Sequence, residues 1–413
     1  MLLSHLLKNT IHIGSLTVID AGGKTHVFSG SPGPEVTVRL HDRALHRKLF
    51  FYPELYIGEA YMDGTLTIEK GTLDDFMNIS TMNLKSIQNN RPNFILEGFL
   101  RLLRGWQQHN PVKRARANVA HHYDLQDRLY DLFLDRDRQY SCAYFQDPGD
   151  DLETAQANKQ RHLAAKLLLA PGQRVLDIGS GWGGLALYLA RVGEGRVTGL
   201  TLSREQRKVA IDRAAKADMA GNVRFRLRDY REETGTYDRI VSVGMFEHVG
   251  VNYYPEFFAK VKDLLADDGV CVLHSIGRMD GPSTTCSWIR KYIFPGGYSP
   301  ALSEVLAAIE GSGLWVADIE ILRLHYAETL SAWRRRFQAS RAKIAKLFDE
   351  RFCRMWEFYL ALSEAAFRHG DHLVFQIQLS KKRDAVPLTR DYIAEWERAN
   401  TDAAKPCKPM QAA

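Results

Sequence analysis

The sequence predicts a doubly wound α/β domain, a mostly parallel sheet of seven strands under helical cover, preceded by a smaller α+β domain. Three observations carry that expectation. At 413 residues the chain is too long for one ordinary domain and suits two. After Gly172, apolar strands alternate with helical segments, the pattern of a parallel sheet covered on both faces. Residues 10 to about 85 show short alternating strands and turns instead. The expected division is an N-terminal domain over 1–109, a linker over 110–120, the α/β domain over 121–395 and a tail over 396–413.

In the N-terminal part, residues 11–19 alternate apolar and polar side chains, and Ala21-Gly22-Gly23-Lys24 turns into a second strand over 25–28. Ser31-Pro32-Gly33-Pro34 reads as a turn before a strand over 35–40. Asp42 is a helix cap for 43–50, and Asp63-Gly64 turns into a strand over 65–68. Asn110-Pro111 opens the linker. In the α/β part the strands fall at 174–178, 196–200, 223–227, 239–243, 270–275, 314–321 and 372–379. Helices are expected at 184–192, 203–217 and 254–265, and one long helical stretch over 330–369.

Composition narrows the function classes. With 45% hydrophobic and 25% charged residues the chain is globular, and no apolar run reaches the roughly 18 residues of a membrane span. The N-terminus lacks a signal-peptide pattern. The five scattered cysteines have no zinc spacing, so no metal site and a reducing cytoplasm are expected. Net charge is +6, unevenly spread. One basic stretch places Arg101, Arg104, Lys113, Arg114 and Arg116 among Phe99, Leu100, Leu102, Leu103 and Trp106. A second runs from Arg334 to Lys346. Both fit solvated helix faces or attraction to an anionic surface. The aromatic–basic interleaving of single-strand nucleic-acid binding is absent, and no nucleic-acid partner is expected.

The chemistry-bearing motif is Val175-Leu176-Asp177-Ile178-Gly179-Ser180-Gly181-Trp182-Gly183-Gly184: an apolar strand, an acid, then glycines opening a helix. Glycines let backbone approach a ligand, and the helix start offers free N–H groups. Gly179, Gly181 and Gly184 also satisfy a dinucleotide fingerprint. Two features oppose that reading. Asp177 lies inside the motif, where it can accept from a cationic amino-acid group. The second strand ends in Thr201, Ser203 and Gln206 rather than in a ribose-binding acid. Asp229, after the third strand, can accept from an adenine amino group. The motif therefore predicts an S-adenosylmethionine (SAM) site, and with it the class I SAM-methyltransferase form of the fold.

Further segments resemble the cyclopropane-fatty-acyl-phospholipid synthases and the related mycolic acid methyltransferases. They are His122–Leu125, Tyr140–Phe145, the glycine motif, Gly199–Gln206, Phe246–Gly250, Leu273–Gly277, Trp288–Gly297 and Val386–Ile393, in order over roughly 118–395. Gly58–Gly64 resembles, more loosely, the lipid-engaging domain of the bacterial synthases. The resemblance implies methylenation of a cis double bond in unsaturated phospholipid acyl chains, with bound bicarbonate as base. It assigns Cys142, Glu247, His274, the backbone of Ile276, and Tyr326 to the bicarbonate pocket. For the cofactor it adds Tyr123, Tyr140 and Ser141 over the methionine end, Gly179 and Gly181 as backbone contacts, Thr201 and Gln206 at the ribose, and Trp182 packing nearby.

Alone, Cys142 reads as a small buried hydrophobe and His274 equally as a core histidine. What unites them is position: Gly179, Glu247 and His274 all fall at carboxyl ends of strands, where open α/β sheets bind ligands. A phospholipid substrate also gives the stretch from Phe99 to Arg116 an interfacial role. The chain is then expected on the inner face of the plasma membrane, as a homodimer. A relative that adds a methyl or methylene branch without closing a ring is the alternative, since only the fate of one proton differs.

Overall fold

A computed structural model describes residues 2–89 and 127–401. Tyr123, the 110–120 linker and the basic stretch from Phe99 to Arg116 lie outside the described residues. The chain groups into two compact units. One comprises Met1–Gln107, Ser283–Gly297 and Leu330–His372; the other comprises Gln108–Pro282, Tyr298–Thr329 and Leu373–Ala413.

The first unit holds a four-stranded sheet of β1 (Ile13–Ile19), β2 (Thr25–Ser29), β3 (Ser31–Leu40) and β4 (Leu66–Lys70), in the order β2-β1-β3-β4. Alternation buries Leu16, Val18, Val36, Val38 and Leu40 on one face. The proline segment expected as a turn belongs to β3. Its register against β1 jumps from Ile13↔Ser31 to Ser15↔Glu35, so Pro32-Gly33-Pro34 bulges out of the ladder. Proline has no N–H to donate, and a bulge removes the need for one.

The helix Pro53–Met62 explains the Gly58–Gly64 signature. A Cβ on Gly58 would lie 2.4 Å from Trp288 Nε1, and that indole donates to Met62 Sδ at 3.2 Å. Glu59 accepts from Lys291 Nζ at 2.6 Å and from the Tyr292 hydroxyl at 2.8 Å. The expected single helix over 330–369 is two helices, His325–Leu347 and Glu350–His369. Asp349 restarts the second by accepting from Phe352 N at 2.7 Å. Part of the second basic run is neutralised within this unit: Arg334 pairs with Asp74 and Glu364, and Arg341 with Glu350 and Glu357.

The second unit is the doubly wound domain. Its strands are β5 (Arg174–Ile178), β6 (Arg196–Thr201), β7 (Val223–Leu227), β8 (Tyr237–Val243), β9 (Leu265–Arg278), β10 (Trp315–Leu322) and β11 (His372–Ser380), whose first residue falls in the other unit. The order is β10-β11-β9-β8-β5-β6-β7. Pairings β7–β6–β5–β8–β9 are parallel and β10–β11 is antiparallel. Continuous apolar runs in the central strands are buried on both faces, as a sheet covered by helices requires. Strand order reverses beside β5, which places a ligand crevice at the carboxyl ends of β5, β6 and β8. The helix Leu152–Lys166, which the sequence reading missed, is buried over most of its length. The helix Asp391–Ala399 continues past residue 395, and Glu397 accepts from His162 Nδ1 at 2.9 Å.

Candidate functional site

A crevice opens at those strand ends. Tyr140, Ser141, Asp177, Gly179, Gly181, Trp182, Thr201, Gln206 and Asp229 line it, so nine of the expected cofactor residues meet on one wall system. With its mouth included it encloses about 1130 Å³ of empty space, ample for a nucleoside carrying an amino-acid arm.

β5 delivers Asp177 to the crevice floor. The residue is 1% exposed, and its Oδ2 has no hydrogen-bond partner among the described residues. Burial pushes its carboxyl up to about 7, opposed only by the charge of Lys159. An orphaned buried carboxylate oxygen fits the ammonium group of SAM. Beyond it the chain turns through Gly179 (φ +90°) and Gly181 (φ +52°). Gly179 faces Met245, and a Cβ there would lie 2.7 Å from Met245 Cβ. Only glycine combines this positive φ with so close an approach.

At the end of β6 the Thr201 hydroxyl donates to Gln206 Oε1 at 2.9 Å, which orients the amide. Ser203 does not line the crevice; its Oγ caps the helix Arg204–Lys216 by accepting from Gln206 N at 3.2 Å. Asp229 lines the wall, yet both its oxygens already accept from the Arg231 guanidinium, at 2.9 and 2.8 Å. The sequence reading passed over Arg231, which no motif flags, and over Arg138, Gln139, Met245 and His248.

The other five expected residues lie outside this crevice's lining. Glu247 is 8% exposed, and its Oε1 accepts from Ile276 N at 2.7 Å. Burial pushes its carboxyl up to about 7. His274, expected at a strand end, lies four residues inside β9, which runs on to Arg278; it is fully enclosed and held well below the ordinary histidine range by burial and by the nearby Lys159 and Lys166 charges. Gln376 Nε2 stands 3.2 Å from its Nδ1, so a neutral ring accepts there and carries its proton on Nε2. Cys142 is buried, its thiol pushed up by burial, and it donates to Ala143 O at 3.3 Å. Thr329, one turn after the buried Tyr326, accepts from Ala143 N at 3.0 Å and ties that helix to the Cys142 segment. The side chains of Cys142, His274 and Glu247 are all buried: a thiol, a neutral imidazole and a carboxyl near its midpoint at neutral pH.

An expected result follows for the first crevice. Affinity for S-adenosylhomocysteine should fall as pH drops below about 7, by up to about tenfold per unit, because protonated Asp177 loses its attraction for the ligand's ammonium group. Asp177→Asn should bind weakly and lose that pH dependence. Calorimetric titration from pH 5.5 to 8.5 checks this.

The seven-stranded sheet with its antiparallel β10–β11 pair and the glycine-lined crevice holding a buried acid define a SAM-dependent methyltransferase. Comparison with known proteins narrows the class. The description "Mycolic acid cyclopropane synthetase" matches residues 110–377. The chain is 38% identical over 356 residues to the cyclopropane-fatty-acyl-phospholipid synthase of Escherichia coli (strain K12), covering 86% of this chain and 90% of that one. It is 35% identical over 402 residues to the tuberculostearic acid methyltransferase UfaA1 of Mycobacterium tuberculosis, covering 92% and 91%. Among solved structures, the mycolic acid cyclopropane synthase CmaA1 complexed with SAH and CTAB superposes with a TM-score of 0.61 at 33% identity, over 64% of this chain and 97% of that one. The chain belongs to the mycolic acid cyclopropane synthetase family.

Proposed function

We propose that the protein transfers a methylene group from SAM to the cis double bond of unsaturated phospholipid acyl chains and closes a cyclopropane ring. What supports this is a SAM-type crevice, with Glu247, His274 and Cys142 each buried outside its lining, in a chain 38% identical to a synthase of that name. The sulfonium of SAM supplies an electrophilic methyl group. An isolated alkene is a weak nucleophile, so the reaction depends on near-attack geometry and exclusion of water. Attack leaves a carbocation on the acyl chain, and ring closure requires loss of a proton from the added methyl group. Bicarbonate bound among Cys142, Glu247, His274, the Ile276 backbone and Tyr326 would supply the base. The fit is chemical: the neutral His274 ring carries a donor on Nε2, while the Cys142 S–H already donates to Ala143 O and would have to turn from it to reach an anion. The Ile276 N–H is already taken by Glu247, which leaves its carbonyl as the backbone contact.

The test uses unsaturated phospholipid vesicles and labelled SAM, followed by mass analysis of the acyl chains before and after mild hydrogenation. A cyclopropane survives reduction, a methylene branch does not, and a saturated methyl branch is two hydrogens heavier. The branching outcome is the second reading, and the 35% identity to a tuberculostearic acid methyltransferase over 92% of the chain favours it. An unlabelled lipid fraction overturns both.

Such a substrate requires a bilayer surface. Among the described residues no helix is long and apolar enough to cross a membrane. We assign docking to the inner face of the plasma membrane to the stretch from Phe99 to Arg116, with its apolar anchors and cations, and expect a homodimer. Turnover on vesicles should fall as ionic strength rises and increase with anionic lipid content. A rate indifferent to both contradicts this assignment.

A further inference from the structure

Lys159 sits in the middle of the helix Leu152–Lys166 and is 0% exposed. A buried ammonium is costly unless it is paired and hydrogen-bonded. Its Nζ donates to Gln139 Oε1 at 2.7 Å and to Ser141 Oγ at 2.9 Å. Both acceptors belong to the segment that lines one side of the cofactor crevice. The same segment is anchored by Asp135, whose carboxylate accepts from Gln139 N at 2.8 Å and Asp137 N at 2.9 Å. Burial lowers the Lys159 ammonium to about 8, and the charges of Asp135, Asp137 and Asp177 oppose that fall, with the un-ionised Cys142 thiol also close by. Asp177 has Lys159 as its countercharge, and His274 also feels the ammonium.

We propose that Lys159 is a positioning residue of the cofactor crevice: its ammonium clamps the Gln139–Ser141 wall and supplies the countercharge to Asp177, and so sets the affinity for SAM. This rests on the assignment of the crevice to SAM. No proton or bond changes hands at Lys159; it acts through Ser141, Gln139 and Asp177. Removing the charge leaves two buried acceptors unpaired and Asp177 without its compensating cation. Asp177 then takes up a proton at higher pH, and the ligand's ammonium group loses its partner.

The experiment is binding of S-adenosylhomocysteine to full-length Lys159→Met, Asp177→Asn and the double variant between pH 6 and 9.5, with melting curves of each unliganded protein. Methionine approximates the volume of lysine, so packing is kept. Lys159→Met should weaken binding at pH 7 at least tenfold. Its affinity should recover at alkaline pH, with the acid-side fall displaced upward by one unit or more relative to the parent. A purely structural role would weaken binding equally at all pH values. In the Asp177→Asn background the Lys159→Met change should add only the threefold to tenfold of the wall clamp and no pH dependence, because the countercharge acts through Asp177. Parental affinity and pH profile in a folded Lys159→Met protein overturn the proposal. If Asp177→Asn also binds normally, the crevice assignment itself fails, whereas weak binding by Asp177→Asn alone confines the failure to Lys159. Should Lys159→Met not fold, Gln139→Met removes the shorter of its two hydrogen bonds. A threefold to tenfold affinity loss is then expected, and parental affinity overturns the proposal.

Discussion

Glu247→Gln should lower kcat by about 100-fold or more while leaving S-adenosylhomocysteine affinity within about threefold of the parent. The side chain is outside the cofactor crevice lining, and the amide oxygen of glutamine can still accept from Ile276 N, so the local fold is kept. What disappears is a carboxyl able to accept a proton or orient a small anion. His274→Ala should act in the same direction, since it removes the neutral ring beside Gln376. Single-turnover rates together with ligand titrations check both variants, and equal loss of turnover and affinity contradicts the assignment. Stability should move the opposite way. Burial raises the Glu247 carboxyl from its ordinary 4.5 to about 7, so the folded state holds that proton more tightly than the unfolded chain. Its contribution is full below about 4.5 and lost as pH rises through about 7. An uncharged glutamine escapes that loss, and Glu247→Gln should be more stable than the parent at pH 8, by about 1–3 kcal/mol. Chemical denaturation at pH 5 and pH 8 measures the difference.

Gly179→Ala should cost about 2–4 kcal/mol of stability and abolish measurable cofactor binding. The position has φ +90°, and a methyl group would meet Met245 Cβ at 2.7 Å and Cγ at 2.9 Å. Strain and overpacking therefore act together, on a turn that lines the crevice. Gly181→Ala is the matched comparison. Its φ is also positive, at +52°, but its Cβ would meet nothing within 4 Å. Its cost should be about 1 kcal/mol, with binding reduced rather than lost. Equal melting temperatures and affinities for the two variants would show that the Met245 contact has no bearing on the turn.

The strands of the doubly wound sheet were legible because their signal is local. β5 and β7 begin and end where the sequence reading puts them, since short apolar runs bounded by polar and glycine positions need no tertiary information. The crevice was legible for a related reason: chain order places Asp177, Thr201 and Asp229 after successive parallel strands, and a parallel sheet brings all such ends to one edge. The helix Leu152–Lys166 was not. Its sequence, Leu-Glu-Thr-Ala-Gln-Ala-Asn-Lys-Gln-Arg-His-Leu-Ala-Ala-Lys, has no apolar stripe, and most of it is buried through polar pairings. His162 bonds Glu320 at 2.7 Å and Glu397 at 2.9 Å across 158 and 235 residues, and Lys159 reaches Gln139 and Ser141. Periodicity reports hydrophobic burial and is blind to burial by ion pairing.

The motif around Val175–Gly184, with the strands and helices that alternate after it, determined the fold class and the SAM-dependent chemistry, because backbone conformation and strand signals follow from local residues. Tertiary structure decided the rest. It folded residues 283–297 and 330–372 into the unit that contains the N-terminal sheet, set His162 between Glu320 and Glu397, and buried Lys159 against Gln139 and Ser141. Each depends on which distant side chain arrives as partner, and a buried polar group accepts whichever partner satisfies its hydrogen bonds.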